Sequence, residues 1–111
     1  MIPIKIIGGR QTGKTTMLVK LSGENKIPIA CTDMNRAKDI LDIAKKLGYK
    51  DFPTPVVLNI DYTIKRDLRD EGGVLIDDAD LFLEKALNAN VVAITLEGEG
   101  FPEVNYENRK L

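Results

Sequence analysis

Five short runs rich in Val and Ile, separated by glycine turns and helix-period segments, restrict this chain to a small set of folds. Brief β-branched runs with helical patterns between them are the signature of β-α-β units and a buried parallel sheet. The runs are Ile2–Ile7, Ile27–Cys31, Pro55–Ile60, Val74–Asp77 and Val91–Leu96. Between them, Lys14–Leu21 reads as a helix entered from a glycine loop and ended at Ser22-Gly23. Asn35–Leu47 carries Ala37, Ile40, Leu41, Ala44 and Leu47 at spacings of three and four, with Gly48 as the stop. Asp80–Leu87 sets Leu81, Leu83, Ala86 and Leu87 for burial, and Tyr62–Arg69 fits one or two helical turns or none. Glu97–Leu111 shows neither period and reads as a tail, in which Val104-Asn105-Tyr106 has the make-up of a short edge strand.

At 111 residues the chain supports one core and buries about two-thirds of its unfolded surface. Hydrophobic residues at 43% and charged residues at 30% exclude most disorder, and no apolar run approaches the roughly 20 residues of a membrane span. The opening MIPIKIIGG is too short for a signal-peptide core, so a cytoplasmic location is expected. Cys31 is the only cysteine and histidine is absent, which excludes an internal disulfide, a structural zinc site and a His-based triad. Chemistry must therefore come from Lys, Arg, Asp, Glu or a bound ion. Residues 1–55 hold 10 Lys+Arg against 5 Asp+Glu, net +5, and residues 56–111 hold 6 against 12, net −6. Such a split suits an anion-binding face or a contact between copies, and gives only weak support to direct nucleic-acid binding.

Gly8-Gly9-Arg10-Gln11-Thr12-Gly13-Lys14-Thr15 matches G-x-x-x-x-G-K-[ST] at every fixed position, follows an apolar run and opens a helix. Gly8 and Gly13 allow successive N–H groups to point inward, and the helix dipole adds to the anion site. Lys14 is placed to reach β- and γ-phosphates, the Thr15 hydroxyl to ligate Mg²⁺, and Thr16 to face the α-phosphate. The plainer reading, a glycine turn before a helix, gives no reason for the lysine. Val74-Leu75-Ile76-Asp77-Asp78 is an apolar run ending in two carboxylates. At the C-terminal tip of a parallel strand, Asp77 can hold Mg²⁺ through its water shell and Asp78 can position or deprotonate a water. Either Asp78 or Asp80 would alternatively cap the helix that follows.

With both motifs in place, the chain resembles the P-loop NTPases, in particular the additional-strand division of helicases, RecA-like motors and the large terminase subunits that package phage DNA. The loop GGRQTGKTT is similar to the terminase form, and the resemblance implies that Arg10 supplies a charge-stabilising arginine in cis. Cys31-Thr32-Asp33 is similar to a segment that touches nucleic acid in helicase cores, and Thr95 to a polar sensor residue. Relatives carry Glu where this chain has Asp78, one methylene longer.

Pattern and resemblance together imply a three-layer α/β/α sandwich with a mainly parallel five-stranded sheet, the P-loop NTPase core, over residues 1–96, with 97–111 as a tail or partner-contact segment. The run order would be 3-2-4-5-1. The implied function is slow hydrolysis of MgATP by a phage-type accessory of DNA processing, working by self-association or by docking on a DNA-processing machine. Adenine is the default base, because Asn25-Lys26 is followed by Ile27-Pro28 and lacks a guanine-reading aspartate. Two other readings stay open at this stage. One is a nucleotide-dependent binding or assembly module without turnover, and the other is a small-molecule or nucleoside kinase.

Overall fold

A computed structural model describes residues 2, 4–8, 13–59, 61 and 66–97. The elements in order are α1 (Lys14–Asn25), β1 (Ile29–Cys31), α2 (Met34–Lys46), β2 (Val56–Val57), β3 (Leu75–Ile76) and α3 (Ala79–Leu87). The sheet is parallel, with strand order β2-β1-β3. Ala30 pairs with Val56 on one side of β1 and with Ile76 on the other. All three residues of β1 are buried, as expected of a central strand. Ile29 and Cys31 join the core cluster with Val19 of α1 and Ala37, Ile40 and Ala44 of α2, and alternation along the strand turns Ala30 to the opposite face.

Helix α1 does not stop at Ser22-Gly23 as its composition predicts. It runs through both residues to Asn25 and closes on Lys26 in the left-handed conformation, whose N–H donates to Ser22 O at 2.8 Å. Ser22 is fully buried and turns its hydroxyl inward to the Ile27 carbonyl at 2.6 Å, so it is a packing position. Helix α2 follows its sequence signals closely. The Asp33 carboxylate caps it by accepting the Arg36 N–H at 2.9 Å, and its C-terminus closes in a Schellman pair, Gly48 N–H to Lys45 O and Tyr49 N–H to Ala44 O.

The expected five-stranded, three-layer core does not form. Among the described residues, 4–8 and 91–97 make no strand, and Ile2, Ile4, Ile7, Val92, Ile94 and Leu96 are exposed. Apolar β-branched composition makes a segment compatible with a strand, but only a neighbouring ladder and a covering layer turn it into one. Among the described residues the sheet therefore ends at β3. Its outer face is open at Ile76, 44% exposed, and α3 has no buried residue, so Leu81 and Leu83 are half-buried while Ala86 and Leu87 face solvent. The three strands that form keep the relative order 3-2-4 within the expected sequence of runs. In the stretch Tyr62–Arg69, residues 66–69 are not helical and residues 62–65 lie outside the described set, as does Val104-Asn105-Tyr106 of the tail.

Candidate functional site

Parallel strands deliver their C-terminal ends to one edge of the sheet, and the site is assembled there. The backbone N–H of Asp77 donates to Ala30 O at 3.0 Å, one step past the last paired residue of β3, which places Asp77 against the C-terminal half of β1. Asp77 as a whole is buried, at 6% exposure. The Thr15 hydroxyl, from the first turn of α1, donates to Asp77 Oδ1 at 3.2 Å. Sixty-two positions separate the two residues in sequence, so the fold brings the second position of α1 onto the tip of β3.

Gly13 precedes α1 with φ 82° and ψ 15°, a left-handed conformation that suits glycine. Among the described residues no side-chain cap bond is made at Gly13, and Met17 N–H is bonded back to Gly13 O. Lys14, Thr15 and Thr16 thus form the opening turn of a helix whose positive end meets a buried carboxylate. Gly8 is described and half-buried, outside any strand. Gly9, Arg10, Gln11 and Thr12 lie outside the described residues.

Asp78 does not cap α3. Its backbone is left-handed (φ 55°, ψ 61°), a conformation that aspartate tolerates better than most residues, and its side chain makes no cap bond. Its carboxylate instead accepts from Arg36 Nη2 at 2.6 Å, closing an ion pair between α2 and the turn after β3. Burial opposes the Arg36 charge, but the hydrogen bond to Asp78 and the charges of Asp77, Asp78 and Asp33 outweigh it and raise the guanidinium pKa. Sequence reasoning missed Arg36. Its only signal was its place one helical turn after the tip of the run Ile27–Cys31.

The segment Cys31-Thr32-Asp33 is accounted for by local structure. Cys31 and Thr32 are buried, and Asp33 caps α2 with its carboxyl held below the ordinary value, first by the Arg36 N–H that it accepts. Burial, then the charges of Asp77 and Asp33, pushes the Cys31 thiol up to about 11, so it is no nucleophile at neutral pH. Thr95, expected on a strand beside the second motif, is exposed in a stretch with no strand.

No group of three or more Cys, Asp or Glu side chains among the described residues is arranged to hold a metal by itself. A hydroxyl and a buried carboxylate are nonetheless the hard oxygen donors that suit Mg²⁺, which keeps several waters and takes its other ligands from phosphate. Thr15 and Asp77 therefore fit such an ion in company with a phosphate. No described helix is long and apolar enough to cross a membrane. Comparison with protein-family models, curated proteins and solved structures finds no match to the chain.

Proposed function

We propose that this chain binds MgATP at the N-terminus of α1 and hydrolyses it slowly, using a P-loop-type phosphate site carried on a three-stranded sheet. The observation that supports this most is the Thr15–Asp77 hydrogen bond, which joins the hydroxyl of one motif to the carboxylate of the other. Two chance motifs would have no reason to meet. In this reading the inward N–H groups after Gly13 hold phosphate oxygens, and Lys14 neutralises the β- and γ-phosphates. The Thr15 hydroxyl would ligate Mg²⁺ and Asp77 would hold it through its water shell, and the ion would supply positive charge toward the phosphates. Asp78 orients a water or takes its proton.

Phosphate release from MgATP by the purified chain, with Lys14→Ala as the control for contaminating enzymes, tests the reading. Release that disappears in the variant is expected. Equal release from both proteins, together with equal nucleotide binding, removes it.

The ion pair of Asp78 favours one alternative, a module that binds nucleotide as a switch without turning it over. A carboxylate already committed to a guanidinium is a poor acceptor for a proton from water. Lys14-dependent MgATP binding with no phosphate release would select that alternative.

A further inference from the structure

Neither motif has a use for Arg36, yet its guanidinium is hydrogen-bonded to Asp78 and lies within electrostatic reach of Asp33 and Asp77. We propose that Arg36 binds the terminal phosphate of a nucleoside triphosphate at this site, and that Asp78 is its place-holder while the site is free of nucleotide. The inference rests on the phosphate site described above and assigns to it a residue that reads the triphosphate.

Three observations carry it. Asp77, which accepts from Thr15 at the opening of α1, is the immediate neighbour of Asp78, which accepts from Arg36. The guanidinium thus stands one residue away from the carboxylate that meets the phosphate-binding turn. The ion pair is partly open to solvent, with the two side chains 38% and 33% exposed, and pairs of that kind are screened and held weakly. A multiply charged phosphate competes well for the same planar fork, whose geometry accepts carboxylate and phosphate oxygens alike. Finally, the side chain of Arg36 is not needed to build α2, because the cap uses its backbone N–H. Moving the guanidinium to a phosphate leaves the helix intact and frees Asp78 at the moment a triphosphate is in place.

The test is equilibrium binding by the full chain, with Mg²⁺, of ADP and of the non-hydrolysable β,γ-imido analogue of ATP. The wild-type chain should prefer the triphosphate. Arg36→Ala should weaken triphosphate binding by about tenfold or more, the scale of a charged hydrogen bond, and leave ADP within about twofold. Asp78→Asn should tighten triphosphate binding severalfold, and should do so only while Arg36 is present. Arg36→Gln, which removes the charge but keeps a polar side chain of similar helix propensity, makes the same comparison if the alanine variant folds poorly.

Equal loss of ADP and triphosphate in the Arg36 variants overturns the assignment. An equal gain from Asp78→Asn with and without Arg36 also overturns it, because Asp78 would then act by plain repulsion. A folded wild-type chain that binds neither nucleotide sinks the phosphate site and this inference together. Nucleotide binding that is lost in Lys14→Ala but indifferent to Arg36 sinks this inference alone.

Discussion

At the scale of single residues, several side chains do work that their type does not announce. Gly23 looks like a helix stop, but it is buried inside α1 because the Tyr49 ring lies against it. A Cβ at position 23 would stand 2.6 Å from Tyr49 Cδ1 and 2.7 Å from Cε1, closer than carbon atoms tolerate. Two effects compete in Gly23→Ala. Helix propensity favours alanine by about 1 kcal/mol, while overpacking of this kind costs about 1–3 kcal/mol. The ring also packs near Phe52, with centroids 6.3 Å apart, a contact that any retreat of the ring would disturb. Gly23→Ala should therefore destabilise the chain by about 1 kcal/mol in urea unfolding. In a Tyr49→Ala background the same change should become stabilising by a similar amount. A destabilisation that persists without the ring would show that the close approach is not its cause. Asp78 is a comparable case: an aspartate before a helix suggests a cap, and only the left-handed backbone and the guanidinium opposite reveal another use.

Elements were legible to the extent that their signals are local. Helix α2 could be placed almost to the residue, because the Ala37/Ile40/Ala44 stripe and the Gly48 stop each act within a few positions of themselves, and the Asp33 cap that the structure adds agrees with them. Its cap also yields a pH-dependent expectation. The Asp33 carboxyl is held below its ordinary value of 3.8, so it contributes stability that is present above that value and is lost as the pH falls through the lower folded value. Asp33→Ala should cost about 1 kcal/mol at pH 7 and progressively less as the medium is acidified below pH 3.8. Asp33→Asn, which can still accept the Arg36 N–H, should retain most of the neutral-pH stability. A cost that does not change with pH would mean that the ionised cap is not the source. Strands were less legible for the opposite reason. Val56–Val57 and Leu75–Ile76 form where β1 offers a ladder on each side, whereas the apolar residues 91–96 pair with no strand among the described residues. Periodicity records what a segment can do when paired, and the pairing itself is a property of the whole chain.

At the scale of the whole molecule, the site joins the first turn of α1 to the tip of β3. Helix α1 packs on α2 and β1, and β3, whose tip carries Asp77, is an edge strand among the described residues. The loop-to-helix motif and the carboxylate pair could be read from sequence because each is a short string. That they meet is an expectation from where parallel strands end and from the resemblance, and the contact between Thr15 and Asp77 is what the structure adds. A ligand that engages both elements should make α1 and β3 harder to separate, so binding and folding become one equilibrium. At 100 times its Kd, a ligand that binds only the folded state adds about 2.7 kcal/mol. For a chain of this size that corresponds to a rise in Tm of roughly 10 °C. The metal decides which part of the site is responsible. If Mg²⁺ bridges Thr15, Asp77 and phosphate, MgATP should raise Tm by that amount and ATP in EDTA by much less. Asp77→Ala should abolish the difference between the two conditions, while leaving the smaller effect that the N–H groups of α1 and Lys14 produce on their own. An equal rise with and without Mg²⁺ in the wild-type chain would mean that phosphate binds at the end of α1 alone. Asp77 would then be a buried structural carboxylate, and its hydrogen bond with Thr15 a fastening of the fold.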